Sequence, residues 1–273
     1  MTIFQALILG VVQGLTEFIP VSSTAHLILV PYLFGWQLDA EVRFAFDVLL
    51  QWGTLVAVVV YFWRDLLNIL RAALRGLLQR QPFASADAKL GWLIVTATVP
   101  AVIIGLVFKK YFEALHTMPT IVAGIVIAAA ALLFGAEYIG KRTQPLTAIT
   151  WLDAFIIGSA QALALFPGMS RSAATICGGL ARNLERPAAA RFSFLMSIPV
   201  LLGAGIVALR DLLKVPHFTD YLMPLSVGFI TAAIFGFISI QWLLGYLAKQ
   251  PLNAFAWYRI IAGAICLAVL LMR

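Results

Sequence analysis

Long apolar runs alternate with short polar connections along the whole 273-residue chain. Six runs, at roughly 44–63, 91–108, 119–136, 192–209, 222–247 and 254–272, come close to the ~20 residues a helix needs to cross a bilayer. Two other apolar stretches do not read as spans. Residues 3–34 are broken at Pro20 and carry Glu17, Ser22, Ser23 and His26. Residues 154–181 are broken at Pro167-Gly168 and carry Ser170, Arg171 and Ser172. Each half of such a break is too short to cross. Irregular backbone at membrane depth survives only where protein or a cavity satisfies it, so the pattern predicts two helix pairs that enter and return.

The broken stretches are related. Ile8, Gly10, Gln13, Leu15 and Phe18 recur 148 residues on as Ile156, Gly158, Gln161, Leu163 and Phe166. Dropping one residue then pairs Pro20 with Pro167 and Ser23 with Ser170. Each half becomes one re-entrant pair plus three spans. Three is odd, so the second half starts from the opposite side. The expectation is an all-α polytopic membrane protein, an inverted repeat with halves 1–140 and 150–273 in a single integral membrane domain over 1–273. In such repeats the broken helices meet near the midplane and build the site.

Composition agrees. Hydrophobic residues make up 62% and charged residues 11%, with a mean hydropathy of +0.98. These values exclude an ordinary soluble enzyme. The net charge of +7 sits in short loops and marks topology, not nucleic-acid binding. Arg64, Arg71, Arg75, Arg80 and Lys89 fall on one side with Lys141, Arg142, Arg182, Arg186, Arg191 and Lys249. Arg43, Lys109, Lys110, Arg210, Lys214 and Arg273 fall on the other. The positive-inside rule therefore predicts both termini outside. Residues 71–89 read as an amphipathic interfacial helix. The first apolar run has no basic flank and no cleavage site, so no cleaved signal peptide is expected. Cys177 and Cys266 read as packing residues.

The two breaks carry the chemistry. Ionisable groups at such depth are functional candidates by default. Gln13 and Glu17 share a helix face at i,i+4. The carboxylate suits a hard divalent cation, with the amide helping, or proton transfer. Ser22 or Ser23 can cap the helix after Pro20, and a helix N-terminus with hydroxyls is an anion site. His26 shares the face of the two serines and suits a nucleophile or general acid. Arg171 keeps its charge and forks onto phosphate oxygens. It stands between Ser170 and Ser172, with Thr175 at i+4. Thr24 completes the first hydroxyl run. The simpler reading pairs Arg171 with Glu17 and gives neither a ligand. A transporter or lipid flippase is the competing class, because broken helices and inverted repeats serve it equally well.

With these residues the chain resembles the undecaprenyl-diphosphate phosphatase family of bacitracin-resistance proteins. The matching elements are Gln13–Glu17, Pro20-Val-Ser-Ser-Thr-Ala-His26 and Pro167-Gly-Met-Ser-Arg-Ser-Ala-Ala-Thr175. The resemblance implies hydrolysis of undecaprenyl diphosphate to the monophosphate and inorganic phosphate. It implies recycling of the lipid carrier for wall polymers, bacitracin resistance, a bacterial inner-membrane location, a site open to the outer face, and dependence on Mg²⁺ or Ca²⁺. On that basis Glu17, His26, Arg171 and Ser23 are the expected catalytic residues, with His26 preferred as nucleophile over Ser23 or water. Gln13, Ser22, Thr24, Ser170, Ser172 and Thr175 are expected to bind substrate, and Glu17 with Gln13 the metal. A homodimer is the assembly to test.

Overall fold

Proline chemistry places the breaks. Pro20 lacks an N–H and disfavours helical backbone at the residue before it. Helix α1 (Ile3–Phe18) accordingly stops with Ile19 extended, at φ −65° and ψ 134°. Helix α2 (Ser23–Leu33) starts afresh behind the Ser22 cap. The computed structural model describes residues 1–36, 40–108, 111–112, 115, 118–212 and 221–272. Lys109, Lys110, Lys214 and Arg273, counted above among the outer charges, lie outside the described residues.

The remaining helices are α3 (Ala40–Tyr61), α4 (Trp63–Leu78), α5 (Ala86–Val107), α6 (Pro119–Ile139), α7 (Trp151–Gln161), α8 (Arg171–Ala181), α9 (Arg186–Leu212), α10 (Leu222–Leu247) and α11 (Asn253–Met272). The only β pairing among the described residues is an isolated bridge between Gln144 and Leu184. The chain is thus an all-helical, multi-pass membrane protein. Five helices, α5, α6, α9, α10 and α11, are long and apolar enough to cross a membrane. The sixth span expected from the sequence is not a straight rod. The expected stretch 44–63 falls on α3, which turns by 75° into α4 and counts as a sixth span only together with it.

The amphipathic helix lies earlier than expected. It covers Trp63–Leu78 rather than 71–89, because Ser85 caps a new helix by accepting from the Ala88 N–H at 3.2 Å. Lys89 therefore belongs to a span. On α4, Leu70, Leu74 and Leu77 are more than half exposed, as a helix facing lipid requires.

The second break matches the first. α7 opens on a capping box between Thr150 and Asp153, runs into a 3₁₀ turn at Ala162–Leu165, and stops before Pro167-Gly168. α8 then starts behind Ser170. Ser22 and Ser170 are the two caps, accepting from the N–H groups of Ala25 at 3.4 Å and Ala173 at 3.3 Å. Both have positive φ, 78° and 73°. Such backbone costs a non-glycine residue about 1–3 kcal/mol and persists only where surroundings impose it. These caps are 148 residues apart, the same spacing as in α1 and α7. The one-residue gap expected from the sequence is therefore absent. Pro20 corresponds to Gly168, Ser23 to Arg171, and His26 to Ala174.

Small residues let the helices close in. α1 packs along α10, where a Cβ on Gly14 would lie 2.7–2.9 Å from Phe235, Gly236 and Ala232. α7 packs along α5, and α6 along α11. Phe18, Phe192, Phe194, Leu133, Ile176 and Leu243 fill the core between the two breaks. At one end of the bundle, charges are paired. Glu137 accepts from Arg142 and Arg186 at 2.6–2.8 Å and from the Leu252 N–H at 2.8 Å. Asp153 accepts from Arg182 at 2.6 Å, and Asp65 from Arg191 at 2.7 Å.

Candidate active site

Glu17 occupies the last turn of α1 and is 9% exposed. Its Oε1 accepts from Arg171 Nη2 at 2.7 Å, across 154 residues of sequence. Its Oε2 accepts from Ser23 Oγ at 2.7 Å and from Gln13 Nε2 at 2.9 Å. The carboxylate thus ties together an arginine from one break, a serine from the other and the amide one turn below. Arg171 Nη1 also donates to the Ser197 carbonyl at 3.3 Å.

Both breaks open on one cavity of about 430 Å³. Glu17, Ser22, Ser23, Thr24, Ser170 and Arg171 form its polar wall. Gln51 of α3 lines it too. Leu165, Val200, Leu201 and Phe112 form an apolar wall. The first turns of α2 and α8 meet here. Capping satisfies only part of each helix start, so N–H groups in both first turns are left without an intrahelical acceptor. Two such termini with an arginine between them make a site for an anion carrying more than one phosphate. A serine hydroxyl held on a carboxylate is also the arrangement that activates a nucleophile.

Other expected residues lie elsewhere. His26 does not line this cavity. Its Nδ1 lies 2.7 Å from the Ser22 carbonyl, which only accepts, so Nδ1 carries the proton. Nε2 then accepts from the Tyr258 hydroxyl at 2.6 Å, and the two rings stack at 5.7 Å. Thr175 is fully buried, donates to the Arg171 carbonyl at 2.8 Å and shares a hydrogen bond with Ser193 at 2.5 Å. It braces α8 against α9. Ser172 shares a hydrogen bond with Ser170 Oγ at 3.0 Å and sits behind the cap.

The sequence reading expected α11 as a span but assigned none of its residues to the site. Tyr258 reaches His26, and Arg259, 0% exposed, reaches the backbone of both breaks. The available signal was the rule already used for Arg171: an ionisable residue inside an apolar span needs a reason.

A divalent cation passes a limited test of fit. Among the described residues no group of three or more His, Cys, Asp and Glu side chains could cage one. Gln13 Oε1 is buried without a hydrogen-bond partner beside Glu17, so one carboxylate and one amide oxygen are available. Mg²⁺ commonly takes one or two protein carboxylates and fills its shell with water and substrate phosphates. The donor set suits an ion that arrives with a diphosphate.

Residues 6–265 match the family model described as "Bacitracin resistance protein BacA". The chain belongs to the BacA family. Full-length relatives agree. A protein of Chloroherpeton thalassium named undecaprenyl-diphosphatase is 44% identical over 283 residues, covering 100% of this chain and 98% of that protein. Proteins of the same name from Chlorobaculum tepidum and Synechocystis sp. are each 43% identical. They cover 96% and 98% of this BacA-family chain and 95% and 82% of their own lengths.

Proposed function

We propose that this chain hydrolyses undecaprenyl diphosphate to undecaprenyl phosphate and inorganic phosphate. It thereby recycles the lipid carrier of wall synthesis and confers bacitracin resistance. The observation that carries the reading is the Glu17–Ser23–Arg171 constellation in the wall of a cavity where two helix N-termini converge. Its relatives' shared name points the same way.

The diphosphate occupies the polar wall, with the first isoprene units against Leu165, Val200 and Leu201. Arg171 turns its fork onto phosphate oxygens, and the N-termini of α2 and α8 share the remaining charge. Ser23 Oγ attacks the terminal phosphorus and passes its proton to Glu17. The new O–P bond forms as the bridging P–O bond breaks, and undecaprenyl phosphate leaves with the bond electrons. Once that proton has passed from Glu17 to the departing lipid phosphate, Glu17 takes a proton from water and the water oxygen attacks the phosphoserine. The P–Oγ bond breaks, Ser23 recovers its proton from Glu17, and inorganic phosphate is released. A divalent cation held by Glu17 and Gln13 would add charge neutralisation on the phosphates. His26, held by Ser22 and Tyr258, supports the α2 cap in this scheme instead of attacking.

The architecture is read as a single inverted-repeat domain in the inner membrane. The corresponding caps support it, and so does reciprocal packing: α1 rests on the second span of the far half, α10, and α7 on the second span of the near half, α5. The reading puts both termini outside, on the support of the loop charges. Gly105, Phe112 and Ala204 line the cavity near the ends of α5 and α9 remote from the paired arginines, which supports opening to the outer face.

Purified protein in detergent should release one phosphate per undecaprenyl diphosphate. Binding of the lipid without phosphate release would replace this reading with the flippase.

A further inference from the structure

Arg259 is the largest fully buried side chain among the described residues. Three nitrogens each donate to a backbone carbonyl: Nε to Val126 at 3.1 Å, Nη1 to Pro20 at 3.2 Å and Nη2 to Gly168 at 2.5 Å. Among the described residues no carboxylate pairs with it. Burying a guanidinium without an acid is costly, and an apolar residue would fill the space between α6 and α11 more cheaply. What only the arginine supplies is one planar fork gripping two carbonyls 148 residues apart.

Those carbonyls hold matching places. Pro20 is two residues before the Ser22 cap, and Gly168 is two before the Ser170 cap. Both caps have positive φ, so each break is held in a conformation its residues do not favour alone. Gly168 itself has φ +98°, and a Cβ there would lie 2.7 Å from the Val122 carbonyl of α6. The strained backbone is therefore imposed from behind, by α6 and by the fork of Arg259.

We propose that Arg259 is a positioning residue that fixes the spacing and tilt of the two helix N-termini around the diphosphate. Its unpaired charge also reinforces the positive ends of both helices. This inference rests on the hydrolase reading and deepens it.

Arg259→Lys and Arg259→Gln, purified in detergent, test it through thermal unfolding together with kcat and KM for undecaprenyl diphosphate. A residue that only holds the bundle together would lower the unfolding temperature and leave kcat per folded molecule intact. Positioning predicts that kcat per folded molecule falls on the order of a hundredfold in both variants, because small misplacements are that costly. KM should stay within about threefold, since the loss is felt mainly in the transition state. The Lys variant should recover little, as an ammonium cannot span both carbonyls. A kcat within about threefold of wild type in either variant overturns the proposal.

Should neither variant fold, Gly263→Ala decides. Its Cβ would lie 2.6 Å from Ile127 Cγ1, so it moves α11 off α6 without touching the cavity. A kcat loss of about tenfold is expected, and an unchanged kcat overturns the proposal. Wild-type protein that releases no phosphate refutes the hydrolase reading, and this inference with it. Active wild type with active variants refutes the inference alone.

Discussion

Arg171 spreads its guanidinium between the Glu17 carboxylate and the Ser197 carbonyl, so its plane is set before any ligand arrives. A lysine keeps the charge and loses the plane. Arg171→Lys should therefore lower kcat on the order of 10²–10³, the cost of removing a preorganised donor from a reacting oxyanion. Phosphate release in detergent measures it, and near wild-type turnover would leave Arg171 as a mere charge balance. Ser23 and His26 give a second test, by single-turnover trapping with labelled diphosphate. Attack by Ser23 leaves an acid-stable adduct that vanishes in Ser23→Ala and persists, more slowly formed, in His26→Gln. An acid-labile adduct lost in His26→Gln would transfer the role to the imidazole, and no adduct at all would transfer it to water.

At the scale of elements, the α1–α10 seam shows which effect wins when a methyl is added. Alanine gains about 1 kcal/mol over glycine in a helix. At Gly14 the new Cβ would press on the Gly236 and Ala232 backbone, and overpacking of that kind costs about 1–3 kcal/mol. Gly14→Ala should unfold at lower temperature, while Gly124→Ala, with nothing within 4 Å of its Cβ, should be neutral or stabilising. Thermal scans in detergent compare the two. The same scale shows what the sequence could reveal. Proline, glycine and hydroxyls at the two breaks are local signals, so the breaks and the Glu17–Arg171 meeting were legible. The position of His26 outside the cavity lining was not legible, because sharing a helical face with Ser22 does not say which face meets the cavity. Tyr258 and Arg259 act across more than 90 residues and belong to no local motif. The apolar run 44–63 ends where the chain bends by 75° into α4, so the end of the span was legible but the angle was not.

For the whole molecule, the charged end and the site end have separate duties. Glu137 joins α6, the 140–150 connection, α9 and the start of α11 through Arg142, Arg186 and the Leu252 N–H. Glu137→Gln leaves two arginines short of an anion. The expected loss is about 3 kcal/mol, the low end for a broken buried pair because both arginines keep some contact with solvent. Unfolding temperature should drop while kcat per folded molecule holds. A large fall in kcat without loss of stability would show that the two ends are coupled.

The Glu17–Arg171 pair also bears on what happens after the reaction. Inorganic phosphate leaving the cavity competes for Arg171 with a carboxylate tethered at 2.7 Å, in effect a ligand present at very high local concentration. The enzyme carries its own eluent. In the proposed cycle each turnover ends with an internal anion displacing the external one, so that a small, highly charged product is not retained by the groups proposed to bind it. Without divalent cation, Glu17→Gln should be inactive yet bind pyrophosphate more tightly than wild type, by about tenfold or more on titration, since it lacks that competitor. Weaker binding would mean that Glu17 recruits the anion instead of expelling it.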